Sequence, residues 1–287
     1  MSEAPNNEIV HLRGCPLCGA TSKFAFEAKG YRLLDCTRCA HRFADVPGDE
    51  AHVTTIYGDD YFTGGGAGYA DYTADGDALR ARGRMYADII ARFVSAGKLL
   101  DIGAAAGFLL KGFIDEGWRG SGLEPNPAMC DFGRERLGLP MHRGSLESFR
   151  TSERFDLITM IQVVAHFYDP RGAFENTREM LASDGLLLIE TWNRDSISAR
   201  LFGKAWHEYS PPSVLQWFSS DGLREFLIRS GFEYVGGGRP SKKISGAHAK
   251  SLLRYRLGDN PLLKLIPDRV KIPYPSEDLF WALFKKI

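Results

Sequence analysis

Between Leu99 and Glu124 the chain carries a pattern that few folds accommodate. Leu99-Leu-Asp101-Ile is a short apolar strand, Gly103-Ala-Ala-Ala-Gly107 a tight turn of small residues, and Phe108 to Glu116 a helix. Gly120-Ser-Gly-Leu-Glu124 then forms a second strand that ends in an acid. Strand, turn, helix and strand in this order predict a parallel sheet with helices packed against it. Small residues let the backbone pass close to a ligand, and the helix start presents free N–H groups to it. A carboxylate at the second strand's end is suited to accept hydrogen bonds from a ribose diol. The unit therefore fits a ligand that contains adenosine. The alternation continues with a helix over Asn126 to Leu137 and apolar strands at Phe155–Ile161 and Leu186–Glu190. A scaffold helix over Ser219 to Ser230 follows, with Ser219 as N-cap and Gly231 as its stop.

The first fifty residues follow a different logic. Four of the five cysteines form two pairs, Cys15-Pro-Leu-Cys18 and Cys36-Thr-Arg-Cys39, with 17 residues between the pairs. Two such turns close a tetrahedron of thiolates around zinc, and Tyr31 to Asp35 reads as the strand entering the second turn. A redox C-x-x-C normally occurs once, at the start of a helix. Four cysteine ligands leave no open coordination position, so this zinc is expected to be structural, holding together a stretch poor in large apolar side chains. His11 and His41 flank the pairs and are expected to be bystanders; Cys130 reads as a buried thiol on a helix.

Composition narrows the function classes. Lys+Arg and Asp+Glu are each 36, so no global field draws the chain to nucleic acid or membrane. The N-terminus carries acids without an apolar run, and no stretch approaches the ~20 apolar residues of a spanning helix. A globular cytoplasmic protein is the expectation. Its division is read as a zinc-ribbon-like module over 1–50, a Gly/Tyr-rich lid or linker over 51–80 and the main domain over 81–287.

A nicotinamide fingerprint needs glycines two and five positions after Gly103, and Ala105 and Phe108 stand there. An acid-ended strand and a turn bounded by Gly103 and Gly107 fit S-adenosylmethionine better. Here the sequence resembles class I S-adenosylmethionine-dependent methyltransferases, from about Tyr57 to the C-terminus. The segments that carry the resemblance are Leu99–Gly107, Gly122-Leu-Glu-Pro125, Phe155-Asp156, Val163-Val-Ala-His166-Phe-Tyr-Asp-Pro170, Gly185–Glu190 and Gly231-Phe232. It implies a Rossmann-like seven-stranded α/β sheet whose last strand, matched by Asp278 to Lys285, runs antiparallel. The subfamily it looks most like carries a cysteine-pair module ahead of this domain and modifies glycans, nucleotide sugars or small metabolites.

The resemblance also implies a site. Asp101, Gly103, Ala105, Gly107 and Phe108 belong to the cofactor turn, Glu124 and Pro125 to the ribose, and Ile161 and Gln162 to the end of the following strand. Gly144-Ser145-Leu146-Glu147 falls where relatives contact adenine, usually with an acid; Ser145 takes that acid's place and Leu146 remains able to stack. Tyr69 and Tyr72, after Gly64–Gly68, would cover the methionine end as a lid. His166, just past a strand's carboxyl end, is the candidate base for a hydroxyl acceptor, with Tyr168 as a second catalytic candidate. Ala165 replaces the glutamate common before that histidine, and Val214 replaces a histidine common in the Pro211–Phe218 stretch. Trp192, Asn193, Trp206 and His207 follow the fifth strand, where acceptor specificity is built; packing is the competing role for the tryptophans.

The expected activity is methyl transfer to a small-molecule acceptor, most simply a hydroxyl. Residues 239–287 hold 11 basic and 4 acidic residues, which would suit an anionic acceptor. Two alternatives stand beside this reading. One is an RNA methyltransferase that recognises its substrate through the zinc module. Against it, residues 1–50 hold 6 basic and 7 acidic residues, without phosphate-seeking charge. The other is a non-catalytic binding module that keeps the cofactor fold.

Overall fold

The computed structural model describes residues 12–58, 62, 73–240, 242–245, 250, 263, 265–267, 270–274 and 276–287. His11, the Gly64–Gly68 run, Tyr69 and Tyr72 lie outside the described residues.

The chain opens with three antiparallel strands, β1 (Ser22–Ala28), β2 (Tyr31–Cys36) and β3 (Arg42–Ala44). Helix α1 (Glu50–Ile56) follows, its first turn capped by the Asp49 side chain on the His52 N–H. The helix α2 (Gly76–Ile90) then leads into the main sheet. It begins before residue 81, so the expected boundary there falls inside a continuous helix.

The main sheet is built from β4 (Lys98–Ile102), β5 (Arg119–Glu124), β6 (Met141–Arg143), β7 (Phe155–Ile161), β8 (Leu181–Trp192), β10 (Phe232–Gly238) and β13 (Leu279–Lys286). Their order across the sheet is β10-β13-β8-β7-β4-β5-β6. β6, β5, β4, β7 and β8 are parallel to one another, and β13 runs antiparallel between β8 and β10. The expected Rossmann-like sheet and its antiparallel closing strand are both present. Helices α3 (Phe108–Asp115), α4 (Pro127–Leu137), α5 (Pro170–Met180) and α7 (Ser220–Arg229) make the crossovers, while the short α6 (Ile197–Phe202) follows β8. Their starts follow from local sequence. Asn126, Asp169 and Ser219 each accept a first-turn N–H, and Pro127 and Pro170 stand where a missing N–H costs nothing. At the crossing of α2 and α3, a Cβ on Gly83 would lie 2.1 Å from the Leu109 carbonyl oxygen. Only glycine permits that approach.

The cysteine module is not a separate bead. β3 pairs with β9 (Gln216–Trp217), so the first sheet runs β1-β2-β3-β9 and takes its last strand from the far end of the chain. Leu34 and Phe43 pack in one core with Phe167, Phe174 and Phe218 of the main domain. Packing therefore runs on across residue 50. A small antiparallel pair, β11 (Lys242–Ser245) and β12 (Lys271–Tyr274), lies between β10 and β13 in the chain.

Candidate active site and cysteine centre

The carboxyl ends of β4, β5, β7 and β8 converge on a cavity of about 360 Å³. Its floor is the turn after β4. Gly103, Ala105 and Gly107 all hold positive φ, at 65°, 47° and 85°. Ala105 does so with a Cβ, which costs about 1 kcal/mol relative to glycine. Its N–H donates to Glu124 Oε2 at 2.8 Å, and the Asn126 N–H donates to Oε1 at 2.9 Å. Glu124 is thereby fixed at the end of β5 with lone pairs left for a ligand. Burial pushes its carboxyl up to about 7 against the pull of those two N–H groups. Asp101 accepts from Thr159 Oγ1 at 2.6 Å, and burial raises it to about 7 as well.

Of the expected cofactor contacts, Asp101, Gly103, Ala105, Glu124, Pro125, Ser145, Leu146, Ile161 and Gln162 all line this cavity. Gly107 and Phe108 do not. Gly107 is the left-handed residue that starts α3, and a Cβ there would meet Leu139 at 2.4 Å. Phe108 turns away to pack beside Phe132 and over Gly76.

His166 lines the cavity, its Nδ1 2.7 Å from the Ser213 carbonyl oxygen. Donation from Nδ1 leaves Nε2 as the acceptor. Burial lowers the imidazole's pKa, opposed by the carbonyls of Ser213 and Gln162. Tyr168 is not among the cavity residues; its hydroxyl donates to Glu50 Oε2 at 3.3 Å, and burial pushes it up to about 12. Its backbone N–H donates to Glu147, whose carboxyl burial holds at about 7. Trp192 lines the cavity and meets His207 edge-on at 4.9 Å. Trp206 is buried, with Nε1 3.4 Å from Asp278 Oδ2, and so packs. Asn193 holds the turn after β8 by accepting from the Asp195 N–H. Ala165 and Val214 also line the cavity and bring apolar surface to it.

Two groups of site residues escape a reading of the sequence. Arg82 on α2 lines the cavity and is the one arginine or lysine among its described residues. Its guanidinium and the Tyr86 hydroxyl both donate to the Glu190 carboxylate, and Gln162 Nε2 adds a bond at 3.1 Å. Arg82 sits among Arg80 and Arg84, which pair outward with Asp115. Helical spacing to Tyr86 and the small buried residues Gly83 and Ala87 is the signal that separates it. The second group is α1 and its C-cap. Val53 and Tyr57 line the cavity; the Tyr57 hydroxyl donates to the Ser213 carbonyl at 2.6 Å, and Asn126 Nδ2 donates to the Tyr57 carbonyl at 3.0 Å.

The four sulfurs of Cys15, Cys18, Cys36 and Cys39 lie within 4.8 Å of one another, three of the pairs at 3.5–3.6 Å. Tetrahedral zinc with Zn–S bonds near 2.3 Å requires sulfurs about 3.8 Å apart. The N–H groups of Arg38 and Cys39 both point at Cys36 Sγ at 3.3 Å, the arrangement that supports a thiolate. The donor set thus fits zinc. His41 is buried and bonded to Gln216 Oε1 at 2.8 Å, away from the ligand set.

A seven-stranded sheet of this order, with a glycine turn after its central strand and a cavity at the carboxyl edge, is the fold of the S-adenosylmethionine-dependent methyltransferases. The comparisons agree. The model of a methyltransferase-domain family matches residues 78–236, and the chain belongs to that family. It is 24% identical over 157 residues to a ubiquinone biosynthesis O-methyltransferase of Coxiella burnetii, covering 47% of this chain and 67% of that protein. It is 32% identical over 130 residues to a dTDP-4-amino-2,3,4,6-tetradeoxy-D-glucose N,N-dimethyltransferase of Saccharopolyspora spinosa, covering 40% of this chain and 52% of that one. A solved methyltransferase from Archaeoglobus fulgidus superposes with a TM-score of 0.52 at 17% identity, over 74% of this chain and 94% of its own. No helix among the described residues is long and apolar enough to cross a membrane.

Proposed function

We propose that the enzyme methylates a hydroxyl or amine of a small acceptor, with His166 receiving the acceptor's proton. The observation that carries this is the position of His166, in the same cavity as Glu124 and the Gly103–Ala105 turn, with Nδ1 engaged by a carbonyl. When bound, S-adenosylmethionine supplies an electrophilic methyl group on a sulfonium. The protein's own work is then placement of the acceptor in line with that methyl and removal of one proton. Glu124 would hold the ribose diol, Leu146 the adenine, and Arg82 the carboxylate of the methionine portion. Gln162, pinned by its N–H on the Glu190 carbonyl at 2.7 Å, shapes the wall beside the reacting centre. Tyr57, Ser213 and Val214 line the cavity beside His166, Tyr57 and His166 meeting on the Ser213 carbonyl.

The acceptor end is bounded by Trp192, Glu208, Ser210 and Ser213. With Arg82 given to the methionine carboxylate, the described lining residues at that end offer a carboxylate and hydroxyls and no second cation, Lys29 reaching Ser210 Oγ at 2.9 Å from outside the lining. It fits a neutral or amine-bearing group at the reacting position better than an anionic one. The two relatives named above, by their names an O-methyltransferase and an aminosugar N,N-dimethyltransferase, support a small acceptor of this kind. We assign the four cysteines to a structural zinc, since a full set of sulfur ligands leaves it no place for substrate.

The test is a mass-shift screen of hydroxylated and amino-bearing sugars and quinols, followed by His166→Gln on the acceptor found. We expect a 10²–10⁴-fold fall in kcat with little change in cofactor affinity. The wild-type rate should rise with pH and level off below the ordinary histidine range, because burial lowers this imidazole. A His166→Gln enzyme that turns over at the wild-type rate would exclude the base assignment.

A further inference from the structure

Ser145 poses a problem. If Glu124 at the end of β5 meets the ribose, and the reacting centre lies over β4 and β7, the base must extend the other way. It then lies over the end of β6, where Gly144, Ser145, Leu146 and Glu147 line the cavity, the Glu147 carboxylate being already engaged by the Tyr168 N–H at 3.0 Å. The edge of adenine carries an exocyclic amine that needs an acceptor, and a lost partner there is costly. The Ser145 hydroxyl gives its hydrogen to Glu50 Oε2 at 2.7 Å and lies 3.1 Å from the Ser148 hydroxyl, so it offers the amine only a neutral lone pair, a weaker acceptor than the carboxylate oxygen beside it. Tyr168 donates to the same oxygen at 3.3 Å. Glu50 is the first residue of α1, and one turn on, Val53 lines the cavity. Among the described residues Glu50 Oε1 has no partner.

We propose that Glu50, contributed by the helix that leaves the cysteine module, is the carboxylate that receives the adenine amine of the cofactor. Ser145 and Tyr168 aim it by holding Oε2, which leaves Oε1 for the ligand. The cysteine module and α1 thereby complete the cofactor site: Glu50 reads the base, and Tyr57 closes over the acceptor end. The inference rests on the reading of this cavity as the S-adenosylmethionine site.

Calorimetric titration with S-adenosylhomocysteine and with S-inosylhomocysteine tests it. The second ligand replaces the amine by an oxygen, so it presents an acceptor where the first presents a donor. Wild-type protein should bind S-adenosylhomocysteine at least tenfold more tightly than the inosyl ligand, because an oxygen facing Glu50 is repelled. In Glu50→Gln the amide can donate to that oxygen, so the preference should collapse to about unity or reverse. Glu50→Ala should weaken S-adenosylhomocysteine about tenfold and leave the inosyl ligand unchanged or improved. Equal weakening of both ligands in either variant, or a preference unchanged from wild type, would overturn the assignment. Failure of the wild type to bind S-adenosylhomocysteine is a different result, and it would remove the cofactor site itself.

Discussion

Replacing Glu124 by alanine tests the ribose contact with a magnitude set by the geometry. The carboxylate spends one lone pair of each oxygen on the N–H groups of Ala105 and Asn126, at 2.8 and 2.9 Å. The two that remain match the two hydroxyls of a ribose. A hydrogen bond to a charged group contributes about 1.5–3 kcal/mol, so a single well-formed bond is worth ten- to a hundredfold in affinity and two correspondingly more. The fold pays less than the ligand does. Two backbone donors lose a partner at about 1–3 kcal/mol each, but a carboxylate that burial holds near 7 is also removed. Calorimetry with S-adenosylhomocysteine and its 2′-deoxyribose analogue separates the contributions. The wild type should bind the deoxy analogue at least tenfold more weakly. Glu124→Ala should bind S-adenosylhomocysteine about a hundredfold more weakly than wild type and distinguish the two ligands hardly at all. This ratio does not depend on the fraction of protein folded. If the variant still penalises the deoxy analogue as the wild type does, the ribose is not held by Glu124.

Chelation of zinc, or Cys36→Ser, should unfold β1–β3. Structural zinc contributes on the order of 10 kcal/mol in small domains, comparable to a whole domain's stability. Hydrogen exchange across residues 22–44, read against metal content, checks it, and unchanged protection in metal-free protein would refute a structural role. Glu147→Gln should gain stability relative to wild type as pH rises. The folded carboxyl sits at about 7 against an ordinary 4.5, so the folded wild type holds the proton that the unfolded chain has lost, and its stability falls across that window. The expected relative gain between pH 5 and pH 8 is about 2 kcal/mol by denaturant titration. A pH-independent difference would show that Glu147 is not perturbed.

The fold was legible because its determinants are local. An apolar strand, a turn of small residues and an acid-ended strand lie within 26 residues, Leu99–Glu124, and the structure keeps them as β4, the left-handed turn and β5. The cysteine cluster was legible for the same reason, since each pair closes within a turn. Arg82, Val53 and Tyr57 were not. Each reaches the cavity through a tertiary relation that no spacing encodes: Arg82 through Glu190, 108 residues away, and Tyr57 through Ser213, 156 residues away. Gly107 and Phe108 show the opposite case, standing in the motif but outside the cavity lining. One is needed for its backbone and the other for packing over Gly76.

The pairing of β3 with β9 gives the cysteine centre a physical reason to sit in this enzyme. β9 continues directly from Ser213, Val214 and Leu215, and the Leu215 carbonyl accepts the Ala44 N–H at 2.9 Å. Ser213 in turn accepts from both His166 and Tyr57. β3 is therefore joined, through this one strand, to the carbonyl on which the imidazole rests. Leu34 and Phe43 share a core with Phe167, which adjoins His166, so a displacement of β3 would open apolar packing beneath it. A cluster that holds β2 and β3 in register would, on this arrangement, also hold β9 and with it the Ser213 carbonyl beside His166.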